Sequence, residues 1–141
     1  MPIKIEDVYQ QKKEIQSHKF IPEEAYNRLL ISRGYYASFL YACSLFDKNA
    51  SYKLAKIYKD YNDKSYGSHE LYYESLMQSG VANLEYIGKT LKKYHKLRKD
   101  ADYKLNKHIK QYDLLLAEQY FTECKERIDF FVKNGAVSFV A

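Results

Sequence analysis

The sequence predicts an all-α protein, an antiparallel bundle of four or five helices. Three observations carry that expectation. Apolar side chains recur at helical spacing in each long segment, no segment shows sustained period-2 alternation, and the breaks between periodic runs are short and polar. At 141 residues, 46% of them hydrophobic and 29% charged, the chain reads as one folded domain, residues 1–141, with no internal repeat.

The elements follow in order. Residues 3–17 set Ile5, Val8, Tyr9 and Ile15 among charges, a modest first helix. After a break, Pro22, Glu23 and Glu24 open the second. Proline suits a first helical turn, and the two glutamates complement the positive end of the helix dipole. This helix runs to about Phe46 and stops at Asp47-Lys48-Asn49. Its stretch SRGYYASFLYACSLF, residues 32–46, carries one charge, Arg33, with apolar or aromatic side chains on both sides. Such a helix is expected to be buried at the centre, and it is too short for a bilayer, which takes ~20 apolar residues. Arg33 lines up with Leu29, Tyr36, Leu40 and Cys43, so an interior, paired arginine is expected.

Residues 51–61 form a shorter amphipathic piece, with Leu54, Ile57 and Tyr61 on one face and Lys53, Lys56 and Lys59 on the other. Tyr52 and Tyr58 interleave with those lysines, a spacing that suits single-stranded nucleic acid or simply a solvated face. A loop over 62–67 leads to Ser68, the expected N-cap of a helix over 68–78. Ser79-Gly80 interrupts it. A long helix then spans 81–104, with Leu84, Ile87, Leu91, Tyr94, Arg98, Ala101 and Leu105 on one stripe. The last helix, 112–133, has a near-heptad stripe of Leu114, Ala117, Phe121, Cys124, Ile128 and Phe131. Asn134-Gly135 ends it, leaving an apolar tail over 136–141 that is expected to dock on the bundle or a partner.

Net charge is +5, but its distribution says more. Residues 89–110 hold nine lysines and arginines against Asp100 and Asp102, whereas from Gln111 onward acidic residues outnumber basic ones by two. The pattern suits a polyanion partner, a head-to-tail self-contact, or a solvated lysine face. Cys43 and Cys124 sit in apolar helical contexts and are expected as free thiols. No targeting segment or membrane span is legible, so a cytoplasmic protein is expected.

Glycine-rich phosphate loops, CxxC, HExxH and GxSxG are absent from the sequence, which gives no support to P-loop, zinc-protease or hydrolase chemistry. The four histidines form no i, i+4 ligand pair, and no metal or cofactor is expected. Three spots depart from a plain bundle. Arg33 is one. His69 is another: at a helix start the dipole disfavours imidazolium, so a neutral ring is expected, or else a surface histidine beside a cap. The third is LRKDADY, residues 97–103, where Asp102 lies one turn from Arg98 and Tyr103 follows.

SRGYYASFLYA in the central helix, GSHE opening the next and LRKDADY ending a long basic helix together resemble the HEPN superfamily. The match is to its small stand-alone branch, often encoded beside minimal nucleotidyltransferases, and it covers residues 23–133. The resemblance implies a dimeric helical bundle. It also implies either a metal-independent endoribonuclease of a toxin–antitoxin or antiviral system, or a non-catalytic module that binds nucleotide, a nucleotidyltransferase or another effector subunit. Ribonuclease members carry an arginine followed four to six residues later by histidine. Here Arg98 is followed by KDADYKL, so that pair does not transfer.

Two functional expectations follow. In the enzyme reading His69 takes the proton from a ribose 2′-hydroxyl, a role contributing typically ~10²–10⁴-fold. Arg98 and Arg33 then stabilise the phosphoryl charge. Asp102 holds Arg98, Tyr103 or Tyr36 donates a hydrogen bond, and Lys92, Lys96 and Lys99 draw in RNA through its phosphates. In the binding reading the same residues form a nucleotide-phosphate pocket or a structural polar network, and the protein acts by docking a partner.

Overall fold

The computed structural model describes residues 4–17, 23–49 and 67–134. Among these residues five helices and no strand occur: α1 Ile5–Ser17, α2 Glu23–Asn49, α3 Ser68–Met77, α4 Ala82–Tyr103 and α5 Gln111–Asn134. The all-α expectation holds, and no helix described is long and apolar enough to cross a membrane. The segment over 51–61 and the tail over 136–141 lie outside the described residues.

Helix α2 is the hub, packing against α1, α4 and α5, while α3 packs on α4 and α4 on α5. Its composition explains the position. Ile31, Tyr35, Ala37, Phe39, Ala42 and Leu45 are all buried, spread over too wide an arc for a single neighbour to cover. All of these but Ala37 meet Leu84, Ile87, Leu91 and Tyr94 of α4 and Ala117, Cys124, Ile128 and Phe131 of α5 in one continuous core. Each fully buried large side chain contributes ~1.5–3 kcal/mol.

One stripe of α2 falls outside that arc. Leu29, Arg33, Leu40 and Cys43 are half-buried and Tyr36 is exposed, so the expectation of an interior Arg33 is corrected. Three neighbours occupy the other sides of the helix, so among the described residues this side is only partly covered, with Leu40 and Cys43 packed at the edge of the core. Leu105, expected on the α4 stripe, lies past the end of the helix and is exposed.

The helix boundaries follow local chemistry, with one revision. Gly67, in extended conformation, is the N-cap of α3, with no side-chain cap bond, and Ser68 is already the first helical residue. Between α3 and α4 the turn uses Gly80 at φ 76°, a left-handed conformation that glycine adopts without steric cost. Ser79 accepts a hydrogen bond from the Val81 N–H at 3.2 Å. This turn folds α4 back on α3, and the two helices then approach unusually closely at Gly88. A Cβ there would lie 2.7 Å from the Tyr73 carbonyl oxygen and 2.9 Å from the Met77 nitrogen.

The α4–α5 turn is held from α2. The Arg28 guanidinium donates to the carbonyls of Asp100 at 3.3 Å, Ala101 at 2.8 Å, Lys104 at 3.2 Å and also Lys107. These include carbonyls that the end of a helix leaves without intrahelical partners. Glu24, paired with Arg28 at 3.2 Å, accepts the Ile109 N–H at 2.9 Å and so tethers the buried Ile109. At the other side of the bundle, the buried Lys12 of α1 reaches Glu118 of α5 at 3.1 Å and lies over the Phe121 ring.

Candidate functional site

Where α2, α3 and α4 meet, the fold gathers five aromatic or imidazole rings. The rings of His69 (first turn of α3) and His95 (α4) stack with centroids 4.9 Å apart and planes 15° from parallel. Tyr35 of α2 stacks on His95 at 5.2 Å, and Phe39, one turn further along α2, lies 4.1 Å from His69. The Tyr35 hydroxyl oxygen is 2.8 Å from His69 Nδ1. Tyr73 of α3 repeats the arrangement on the other imidazole, its hydroxyl 3.4 Å from His95 Nδ1. The tight contact at Gly88 holds α3 close enough to α4 for this stack to form.

The electrostatics favour neutral rings. Burial, reinforced by the Arg98 charge, holds His69 below its ordinary pKa. Burial, with the nearby His69, Lys99 and Arg98, pushes His95 down to about 4. The Tyr73 phenol is pushed up to about 12 by burial and by the carboxylates of Glu70 and Glu74. Near neutral pH the cluster therefore holds two uncharged imidazoles and two phenols, with Arg98 as the nearby cation.

Arg98 forms an ion pair with Asp102, Nε to Oδ2 2.7 Å, and the Ser32 hydroxyl donates to the same oxygen at 3.2 Å. Among the described residues no carboxylate or carbonyl meets either terminal amino group of Arg98. Tyr103 packs its ring 5.6 Å from that guanidinium and is otherwise exposed. An arginine paired with a carboxylate on its Nε side, its two amino groups without a hydrogen-bond partner among the described residues, is suited to a phosphate or carboxylate ligand.

The remaining candidate residues sort clearly. Arg33 lies 6.0 Å from the Tyr36 ring, and no hydrogen bond or ion pair joins either residue to the histidines or Arg98. Lys92 is paired with Glu74 at 3.2 Å. Lys96 and Lys99 are exposed, as is Lys93, and none of the three has an acidic partner among the described residues. Together these four lysines, Glu70, Tyr73 and Glu74 line a groove of about 490 Å³ between α3 and α4. Tyr73 thus belongs both to the groove wall and to the histidine cluster.

The sequence reading gave no role to Tyr35, Tyr73 or His95. The signal for His95 was present: it follows Tyr94 on the buried side of a lysine-rich helix. Tyr35 was passed over for its neighbour Tyr36, although adjacent helical residues point ~100° apart and only one can face inward. Compared with known proteins, the chain matches no family model, no curated protein and no solved structure.

Proposed function

We propose that the protein is a HEPN-like module of a toxin–antitoxin or antiviral defence system that binds RNA or nucleotide phosphate at Arg98 and His69. In this reading it acts as a homodimer together with a nucleotidyltransferase or another effector subunit. One observation carries the reading: the three stretches behind the family resemblance supply one cluster. YYA contributes Tyr35, GSHE contributes His69, and LRKDADY contributes Arg98 with Asp102. The unmatched lysines of α4 border it and would take flanking phosphates of a longer ligand.

A second reading is supported by the neutrality of His69. An uncharged imidazole beside an open guanidinium is the pairing a metal-independent endoribonuclease needs, with His69 as proton acceptor and Arg98 as charge stabiliser. One experiment tests both. Purified protein is incubated with fluorescent single-stranded RNA and with AMP in EDTA, alongside Arg98→Gln and His69→Ala. Salt-sensitive binding that Arg98→Gln abolishes, with the RNA left intact, is the expected result. EDTA-resistant cleavage lost in His69→Ala would select the enzyme. Absence of binding to either ligand would sink the proposal.

A further inference from the structure

We infer that Tyr35 fixes His69 as the tautomer with its proton on Nε2, so that the ring meets a bound phosphate as a hydrogen-bond donor beside Arg98. The inference rests on the phosphate-binding reading and assigns the role each group plays within it. Tyr35 is a positioning residue here, acting through His69.

The argument is one of hydrogen-bond satisfaction. The Tyr35 side chain is wholly buried, and among the described residues its hydroxyl has one polar partner, His69 Nδ1 at 2.8 Å. Were Nδ1 to carry the proton and donate to the phenol, the phenolic hydrogen would meet no acceptor among the described residues. A buried unsatisfied donor is costly and rare. With the phenol donating to the Nδ1 lone pair, both groups are satisfied, and a neutral ring must then carry its proton on Nε2. His69 Nε2 has no protein partner among the described residues, so that donor remains open to a ligand.

The neighbours of the ring agree. From α2 it meets Tyr35 and Phe39, and from α4 it meets His95 with Arg98 nearby. Among the described residues no carboxylate contacts the ring to hold a proton on Nδ1. The stacked partner has the same arrangement: Tyr73, also buried, places its hydroxyl 3.4 Å from His95 Nδ1. Each of the two imidazoles thus has a phenol at Nδ1. What the cluster offers a ligand is hydrogen-bond donors, the His69 Nε2–H and the two amino groups of Arg98, which is the chemistry of an anion site. The ribonuclease reading needs the opposite, an unprotonated Nε2, and reaching it would strip Tyr35 of its one acceptor among the described residues.

The test is ¹⁵N–¹H NMR of imidazole-labelled full-length protein at neutral pH, with His69 resonances assigned by comparison with His69→Gln. The expected wild-type spectrum shows one His69 species, Nε2 protonated and Nδ1 an unprotonated acceptor. Inorganic phosphate, and then AMP, should shift the Nε2 signal. In Tyr35→Phe the ring should become an exchange average of both tautomers, with phosphate affinity reduced severalfold. A proton on Nδ1 in the wild type, or an unchanged tautomer in Tyr35→Phe, would overturn the inference while leaving phosphate binding in place. An Nε2–H signal that ignores phosphate and AMP would overturn the binding reading and with it the donor role. The wild-type spectrum decides the tautomer even if Tyr35→Phe fails to fold.

Discussion

The two halves of the basic segment over 89–110 are put to different uses. In the second half, at the α4–α5 turn, charge is matched to charge. Asp100 takes Lys104 at 3.0 Å and Lys107 at 2.7 Å, and Glu24 takes Arg28 at 3.2 Å. Burial raises the Asp100 carboxyl, yet the two ammonium groups overcome it and leave its pKa below the ordinary value. In the first half, Lys93, Lys96 and Lys99 have no acidic partner among the described residues, and the amino groups of Arg98 are open. Cations that hold a turn in place are spent on architecture. Cations left unmatched beside a ring cluster remain available to a ligand.

Substitutions can break this division. The largest effect is expected at the turn: Arg28→Ala removes bonds to four carbonyls and one carboxylate. It should lower stability by about 3 kcal/mol, given ~1.5–3 kcal/mol per charge-assisted bond and partial replacement by water. Urea unfolding would measure it. RNA affinity of the folded fraction should be unchanged, and a parallel loss of affinity would mean the two halves are not separate.

Arg98→Gln should do the reverse. Phosphate and RNA affinity should fall ~30-fold, about 2 kcal/mol, with a smaller change in unfolding free energy. An equal loss of both would make Arg98 another structural cation.

Acidification to pH 5 sharpens the contrast by acting on the ring cluster. Both imidazoles have folded pKa values below the unfolded one of ~6.5, so the unfolded chain binds more protons as pH falls. The stability they contribute is complete above ~6.5 and is lost between there and about 4, the His95 value. Each histidine contributes a slope of at most ~1.4 kcal/mol per pH unit. Denaturant midpoints at pH 7 and pH 5 should differ in the wild type and differ less in His95→Phe. Equal pH sensitivity in the two would place the titrating group elsewhere.

The smallest effect is expected from the lysines. Lys96→Gln and Lys99→Gln should each cost severalfold in RNA affinity at low salt and reduce the salt slope by roughly one. Binding of AMP should be indifferent to both.

How far these features can be read from the sequence depends on how local they are. Helix limits are marked by neighbours in the chain, so Pro22-Glu23-Glu24, Ser79-Gly80 and Asn134 locate the elements to within a few residues. His69 is recognisable from its place at a helix start, and the Arg98–Asp102 pair from i, i+4 spacing. Which cations are neutralised is not local: Glu24 and Arg28 reach the turn from more than seventy positions away. Facing is equally hidden when a helix is apolar all round. Tyr35 and Tyr36 are interchangeable as letters, yet one is wholly buried against two histidines and the other is exposed.

The contact at Gly88 also limits how the molecule can move. With the Tyr73 carbonyl and the Met77 amide seated where a side chain would be, α3 and α4 are in backbone contact at that point. Sliding one helix along the other would drive that backbone toward the side chains one turn away on the same face, Leu84 or Lys92, whereas pivoting about the glycine would not. A motion of α3 that keeps this contact is therefore a rotation, which would swing His69 and Tyr73 together. Gly88→Ala should uncouple the rings by pushing the pivot apart, visible as loss of the stacked-imidazole shifts before any loss of helix content.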